Sequence, residues 1–381
     1  MNFCLTIKSP LAALLYIAIL LTVLYSLSLL VIFAGLYRDE SLTSDQRPMV
    51  SVIVACRNEE RHVTPLLQAL SEQTYPRDRY EVILSNDGST DATAERASAF
   101  SRNPGTAAVR MISVQGRDKV ISAKKNALAQ AIAAARGELL LFTDADCRPS
   151  PHWLQGMTSR FTPEVAMVIG FSPYELPALN TLRSRLIALE ALSLAALAAG
   201  CSGWGRPATC TGRNLAYRKE VYDQVGGFKD IAGFVSGDDD LFLKLVLKKN
   251  LRVRYALAPE LAAPTYIPPS AHHLIRQRLR HASKGFHYGP AMTGVLFSAW
   301  LYNFLLLALL FTPYRRYGLI LWAIKAVSEL PLLLAFGGKM KRLACFTVWP
   351  IAAVAHVFYV VLFGALGPFC RVSWKESDSA A

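Results

Sequence analysis

Residues 139–149 read LLLFTDADCRP: four apolar residues run straight into two aspartates, Asp144 and Asp146, with one alanine between them. A short apolar run bounded by polar residues is the pattern of a strand buried in a parallel sheet. Ligands of such sheets bind just beyond the carboxyl ends of the strands. The two carboxylates are therefore read as site residues and not as an exposed acidic turn. At positions n and n+2 on a tight loop both can face one hard cation. Mg2+ or Mn2+ held by one or two carboxylates keeps coordination positions open for phosphate oxygens.

The sequence upstream repeats the pattern. Met49–Cys56 (MVSVIVAC) is a β-branched apolar run ending at Arg57, Asn58 and Glu59, and Tyr80–Ser85 (YEVILS) ends at Asn86-Asp87-Gly88-Ser89. Val109–Ser113 is a further strand. Helical spacing over 63–73, 92–100 and 122–135 separates these runs, with Thr90 or Asp91 as one cap and Gly137 as a stop. Strands alternating with helices predict an α/β fold with a mostly parallel sheet covered on both faces. Three polar clusters then meet on one rim. Asp87 is expected to serve both its turn and a ligand, and Lys124 or Lys125 to neutralise a diphosphate.

Two later stretches carry chemistry. Thr209–Val221 (TCTGRNLAYRKEV) is expected to begin as a strand with Gly212-Arg213-Asn214 embedded. Asp238, Asp239 and Asp240 stand before an amphipathic helix whose apolar side includes Leu241, Phe242, Leu245 and Val246. One cap needs one carboxylate. Three adjacent carboxylates repel, and a partly buried one with a raised pKa is a general base. His272–Gly285 (HHLIRQRLRHASKG) reads as an interfacial helix on anionic headgroups, with Gln277, Arg280 and His281 also available to the site.

The chain has 381 residues, a formal net charge of +13 and 52% hydrophobic residues, unevenly spread. Leu11 to Tyr37 carries no charge over about 27 residues, where roughly 20 suffice to cross a hydrocarbon core. The expected organisation is an N-terminal anchor over 1–37, a soluble domain over 38–290, and C-terminal spans with a tail over 291–381. The C-terminal spans are read at 291–311, 317–336 and 343–366. Lys325 and Glu329, on one helical face of the middle span, are expected to face protein rather than lipid. Basic residues in the soluble segment and in Gly337–Arg342 place that domain on the cytosolic face, as in a bacterial inner membrane. The seven cysteines form no C-x-x-C pair and fit a reducing compartment. No nucleic-acid motif accompanies the basic charge, which suits an anionic membrane surface instead.

Taken in order, VSVIVACRNEE, ILSNDGSTD, KKNALAQAIAAARGELLLFTDADC, TGRNLAYRKEV with GGF, GDDDL and QRLRH resemble the membrane-bound family 2 glycosyltransferases over Met49 to about Lys284. The resemblance implies the GT-A fold, a nucleotide-sugar-binding domain using a divalent metal at a DxD motif. It implies that Asp87 holds the base or ribose and that Asp144 and Asp146 contact the nucleotide sugar and its metal. Glu59, Lys124, Lys125, Arg213 and Asn214 follow as donor-binding candidates. Gln277, Arg280 and His281 match the family's Q-x-x-R-W region near diphosphate and acceptor. GDDDL is one residue short of the family's longer acidic motif, so the base is assigned to Asp239, with Asp238 as the other candidate. His281 in place of the tryptophan argues against a growing polymer.

The implied reaction is inverting transfer of a single sugar, a hexose such as glucose, from a UDP-sugar or related donor. The implied acceptor is the hydroxyl of a membrane lipid or isoprenoid, such as a glycerolipid or a hydroxylated carotenoid. Leu182–Gly200, apolar but interrupted by Arg183, Arg185 and Glu190, is read as lying along the membrane or lining an acceptor cleft. The competing readings are a processive polysaccharide synthase and a non-catalytic membrane scaffold with a degenerate transferase domain.

Overall fold

The computed structural model describes residues 10–38, 43–103, 107–116, 121–175, 178–268, 270–282 and 289–369. Its elements in chain order begin with α1 (Pro10–Gly35), β1 (Val50–Cys56), α2 (Val63–Ser71), β2 (Tyr80–Asn86), α3 (Thr93–Ser101) and β3 (Ala108–Ser113). Next come α4 (Ala123–Ala134), β4 (Leu139–Phe142), α5 (Trp153–Ser159), β5 (Val165–Gly170), α6 (Leu182–Ser202) and β6 (Leu215–Arg218). The chain continues with α7 (Lys219–Gln224), α8 (Asp240–Lys248), β7 (Arg252–Ala256), α9 (Ala271–Ala282), α10 (Pro290–Leu309), α11 (Arg315–Lys339) and α12 (Trp349–Leu366). They divide into two compact units: Gly35–Ile267 with Gly337–Arg342, and α1 up to Ala34 with Pro268–Phe336 and the chain from Leu343.

The first unit is built on a seven-stranded sheet of order β3-β2-β1-β4-β6-β5-β7. β1 to β4 are mutually parallel, and β5 and β7 are parallel to each other. β6 runs antiparallel between β4 and β5. Apolar runs bounded by polar residues become central strands because both faces are covered: Val50, Val52, Ile53, Val54, Val82, Ile83 and Leu84 have no accessible surface. The charge inside this core is satisfied. Glu81 on β2 accepts from Ser51 Oγ (2.8 Å), the backbone N–H of Arg136 (2.8 Å) and Arg110 (3.3 Å).

Register decides where the site forms. Cys56 lies opposite Asn86, and Ile53 opposite both Ile83 and Phe142. The chain therefore leaves β1 and β2 at the same level and β4 three residues short of them, and all three polar clusters come off the carboxyl edge of the parallel strands. One expectation changes here. Gly212-Arg213-Asn214 is not embedded in a strand but forms the turn before β6, which begins only at Leu215. The reason is that Asn214 turns inward and ties three segments together, as described below.

The second unit is helical. Four helical stretches that contribute to it, Pro10–Gly35, Pro290–Leu309, Arg315–Lys339 and Leu343–Leu366, are long and apolar enough to cross a membrane. So is Leu182–Ser202, but it packs within the α/β unit, where Ser202 Oγ reaches Val253 O on β7. α9 falls with the helical unit through its packing on α12, not with the α/β domain. Inside the helical unit Lys325 is 1% exposed; its Nζ donates to Glu329 Oε1 (2.6 Å) and meets His356 Nδ1 (3.2 Å). Tyr25 OH donates to the same Glu329 oxygen (2.7 Å), and Ser26 meets Ser328 (2.9 Å). Three helices are thus joined by one buried polar cluster. Glu329→Leu alone is expected to cost about 3 kcal/mol by stranding the Lys325 ammonium, whereas Lys325→Met with Glu329→Leu recovers most of it. Thermal unfolding in detergent checks both.

Candidate active site

The loops after β1 and β2 are laced together before any ligand is considered. Asn58 sits at φ 53°, a left-handed conformation that asparagine tolerates. Its side-chain oxygen accepts from Thr90 N (2.9 Å), and its own N–H donates to Ser89 Oγ (3.0 Å). Glu59 N donates to Thr93 Oγ1 (2.7 Å), Glu60 N to Asp91 (3.0 Å), and Ala92 N to Glu60 (3.2 Å). Most of the N-D-G-S-T-D polar groups are consumed in this lacing, which leaves Asp87 set apart. It is 5% exposed and paired with Arg57 at 3.4 Å.

Asp144 and Asp146 leave β4 beside these loops. Partial burial, then the nearby Asp144 carboxylate, push the Asp146 pKa up; Arg213 pulls against them and Glu59 adds to the repulsion. Cys147 is buried, and desolvation with the same two carboxylates pushes its thiol up to about 12. That thiol stays protonated and inert. Arg213, on the turn before β6, stands over the Tyr174 ring at 5.7 Å and within electrostatic reach of both aspartates.

The acidic run before α8 meets this group through Lys124. Lys124 Nζ lies 3.2 Å from Asp144 Oδ1 and 3.0 Å from Asp238 Oδ2. Burial would lower its pKa, but Asp144, Asp238 and Asp239 together outweigh burial and raise it. Lys124, Asp144, Gly212 and Asp238 line a narrow hollow floored by Phe142 and Tyr217. Gly212 keeps the hollow open: a Cβ there would stand 3.3 Å from Asp238 Oδ2, a tight contact. The three aspartates divide the work. Asp239 caps α8, accepting from Asp240 N (2.8 Å) and Gly212 N (3.1 Å), while Asp240 accepts from Leu241 N (2.8 Å). Asp238 is the one whose carboxylate lines the hollow.

Two expected site residues face elsewhere. Asn214 has no exposed surface. Its oxygen accepts from Trp153 Nε1 (2.9 Å), and its amide donates to Phe171 O (2.8 Å) and Leu261 O (2.9 Å). Gly170 leaves the space, since a Cβ there would lie 2.3 Å from that amide. Lys125 is also fully buried and donates to Ile231 O and Phe234 O, fixing the loop that leads to Asp238. Successive helical residues point about 100° apart, so Lys124 and Lys125 could not both face the rim. Gln277 and Arg280 lie on α9 in the helical unit, and the side chain of His281 lies outside the described residues.

Other residues at the rim were not anticipated. Arg148 stacks over Tyr266 at 5.2 Å and donates to its hydroxyl (3.1 Å); His62, paired with Glu59 at 2.8 Å, faces the other part of that ring at 5.2 Å. Tyr266 carries no local signal. It arrives through the bridge between Thr265 and Cys147.

Among the described residues no group of three or more His, Cys, Asp or Glu is arranged to hold a metal ion. The oxygen donors of Asp144 and Asp146 nevertheless suit a hard divalent cation that takes its remaining ligands from phosphate and water. Their mutual repulsion is the signature of an acidic pair that such a charge would relieve.

The model of glycosyl transferase family 2 matches residues 51–226, and that of glycosyl transferase family group 2 matches residues 139–363. The chain belongs to glycosyltransferase family 2. The probable glycosyltransferase YdaM of Bacillus subtilis is 28% identical over 200 residues, 52% of this chain and 46% of that protein. The beta-monoglucosyldiacylglycerol synthase of Nostoc is 30% identical over 145 residues, 38% of this chain and 30% of that one. The chain spans about half the length of the curated relatives it matches. Among solved structures, the mannosyltransferase PcManGT of Pyrobaculum calidifontis, in complex with GDP-Man and Mn2+, is 19% identical with a TM-score of 0.57. It covers 96% of this chain and 100% of its own, and it establishes the GT-A-like fold.

Asn214→Ala strands one indole N–H and two carbonyls. It is expected to lower stability by about 3 kcal/mol while leaving the folded protein's affinity for a nucleotide sugar unchanged. Paired melting and binding measurements check this; weakened binding with an unchanged melt returns Asn214 to the site.

Proposed function

We propose that the protein transfers a single hexose, with inversion, from a nucleotide-sugar donor such as UDP-glucose to the hydroxyl of a membrane lipid or isoprenoid. The observation that carries this reading is the convergence of Asp144, Asp146, Lys124, Arg213 and Asp238, from four separate segments, on one rim of the sheet. The reading is supported by a relative named as a glucosyldiacylglycerol synthase and by a fold neighbour solved with GDP-Man and Mn2+. Helices long and apolar enough to span a bilayer suit an acceptor that never leaves it. The α/β unit, Gly35–Ile267, then works on the cytosolic face.

Asp87, held by Arg57, sits at the end of β2 where a base or ribose would rest, with Glu59 nearby. Asp144 and Asp146 would hold Mg2+ or Mn2+, which when bound supplies electrophilic stabilisation of the donor diphosphate. Lys124 and Arg213 are the cations within reach of the same place. In the free protein Lys124 bridges Asp144 and Asp238, one positive charge shared between two carboxylates. A diphosphate arriving beside Asp144 competes for that ammonium and releases Asp238 from its ion pair.

Asp238 then accepts the proton of the acceptor hydroxyl as its oxygen attacks the anomeric carbon. The bond from that carbon to the diphosphate oxygen breaks on the opposite face, and the nucleoside diphosphate leaves with the electron pair. This assignment moves the base from Asp239 to Asp238. Both Asp239 oxygens hold backbone N–H groups, whereas the Asp238 carboxylate lines the hollow. The test is direct. Asp238→Asn is expected to lower kcat by about a thousandfold with nucleotide binding retained. Asp239→Asn is expected to lose about 1 kcal/mol of stability and at most about tenfold in rate. The reverse ranking returns the base to Asp239.

Membranes containing the protein, supplied with radiolabelled UDP-glucose and other sugar nucleotides, are expected to yield one discrete labelled lipid. Chelation with EDTA should abolish the product and weaken nucleotide binding, and added Mn2+ or Mg2+ should restore both. A ladder of products sinks the single-transfer reading in favour of a polysaccharide synthase. Sugar-nucleotide binding without turnover under all donors points to a scaffold.

A further inference from the structure

A second charged feature lies elsewhere on the α/β unit. A cavity of about 400 Å³ is lined by Arg38, Arg206, Arg252 and Arg254, together with Ser202 and Asn250. It opens by the amino end of β7. Since β7 and β5 run in the direction of β4, this is the edge of the sheet away from the acidic rim. None of the lining residues is acidic. Glu164 pairs with Arg252 at 3.2 Å and its charge is also felt by Arg254, but it is a single exposed carboxylate against four arginines, so the cavity stays net positive.

The cavity is built rather than incidental. Arg254 is 4% exposed, a cation set into the wall in mid-strand. Arg38 lies over the Trp204 ring at 4.1 Å. The backbones that carry these two residues are pressed together. A Cβ on Gly35 would stand 1.9 Å from Gly200 O, and one on Gly203 1.9 Å from Gly35 O. Only glycine fits at either position, so the chain leaving α1 is locked against the end of α6 and one corner of the cavity is fixed. Four guanidinium groups around one space repel one another, and a bound anion removes that cost. Their planar forks match the oxygens of a phosphate in bidentate fashion.

The same contact indicates where the anion comes from. Gly35 is the last residue of a helix long and apolar enough to cross a membrane. Arg38 follows it by three residues, so it lies within about 10 Å of the helix end. Trp204 is 44% exposed, an aromatic of the kind that sits at headgroup level. We propose that this arginine cavity binds the phosphate of an anionic membrane lipid headgroup, at a site separate from the donor diphosphate. The cavity is of headgroup size. Bound there, the lipid ties the α/β unit to the bilayer surface and makes the protein responsive to lipid charge.

The full chain is reconstituted in nanodiscs of phosphatidylcholine, with or without about a quarter of phosphatidylglycerol, and co-purifying lipid is counted by native mass spectrometry. Retained phosphatidylglycerol is expected on the unaltered protein. Retention should fall by about tenfold or more in Arg38→Gln/Arg206→Gln/Arg252→Gln and by less than about twofold in Arg77→Gln/Arg79→Gln/Arg102→Gln, which removes equal charge from other exposed positions. Arg206→Gln alone, at an exposed arginine, should give an intermediate loss with an unchanged melt. Equal losses in both triple variants would show diffuse surface attraction and overturn the site. Stabilisation of the detergent-solubilised protein by inorganic phosphate, without selective retention of phosphatidylglycerol, would overturn the lipid assignment in favour of a free anion.

Discussion

One ammonium group stands between carboxylates that would otherwise drive their loops apart. Lys124 approaches Asp144 and Asp238 at once, and Asp239 adds its field from the next position. Carboxylates brought together in a partly buried space repel more strongly than they would in water. The loop after β4 and the loop before α8 can share one hollow because a cation from the start of α4 sits between them. Gly212 completes the arrangement by keeping side-chain bulk out of the junction and lending its N–H to Asp239. Under the proposed function this is also the group that an arriving diphosphate would compete for, so the interaction that assembles the site is the one a donor would disturb.

The rim depends on a second layer of buried polar residues drawn from the same motifs. Asn214 closes the space between α5, the end of β5 and the segment at Leu261 with three hydrogen bonds. Lys125 anchors the carbonyls of the loop that delivers Asp238. Asn58, Asp91 and Thr93 knit the turns after β1 and β2. A buried polar side chain left unpaired would cost its whole desolvation energy, so these bonds specify the loop conformations as well as stabilise them. Precision at the rim is inherited from this support.

Charge is distributed accordingly. The carboxyl edge of the sheet gathers aspartates, and the amino end of β7 gathers arginines. The net positive charge of the chain is thus not a uniform coat, since one part of it is concentrated in a cavity whose corner is pinned to the end of an apolar helix. A divalent cation with a diphosphate suits the first edge, and a lipid phosphate the second. The two features lie at opposite ends of the strands, with opposite local charge.

Much of this was legible in the residues themselves. Apolar runs such as VSVIVAC and LLLF could only be buried strands, and the helices between them forced a mostly parallel sheet. Polar clusters at strand ends then had to share a rim, because side-chain periodicity and chain direction are local properties. Which members of each cluster face the rim was not legible. Lys124 and Lys125 are chemically identical neighbours, as are Asp238 and Asp239, and Asn214 reads as polar whether it binds a ligand or a carbonyl. Tyr266 and the arginines around Arg254 gave no signal at all, because their neighbours lie far away in sequence. Secondary structure and the chemistry of a site follow from residue type and spacing, whereas the direction in which one polar side chain points is settled by which unpaired donors and acceptors the folded chain brings against it.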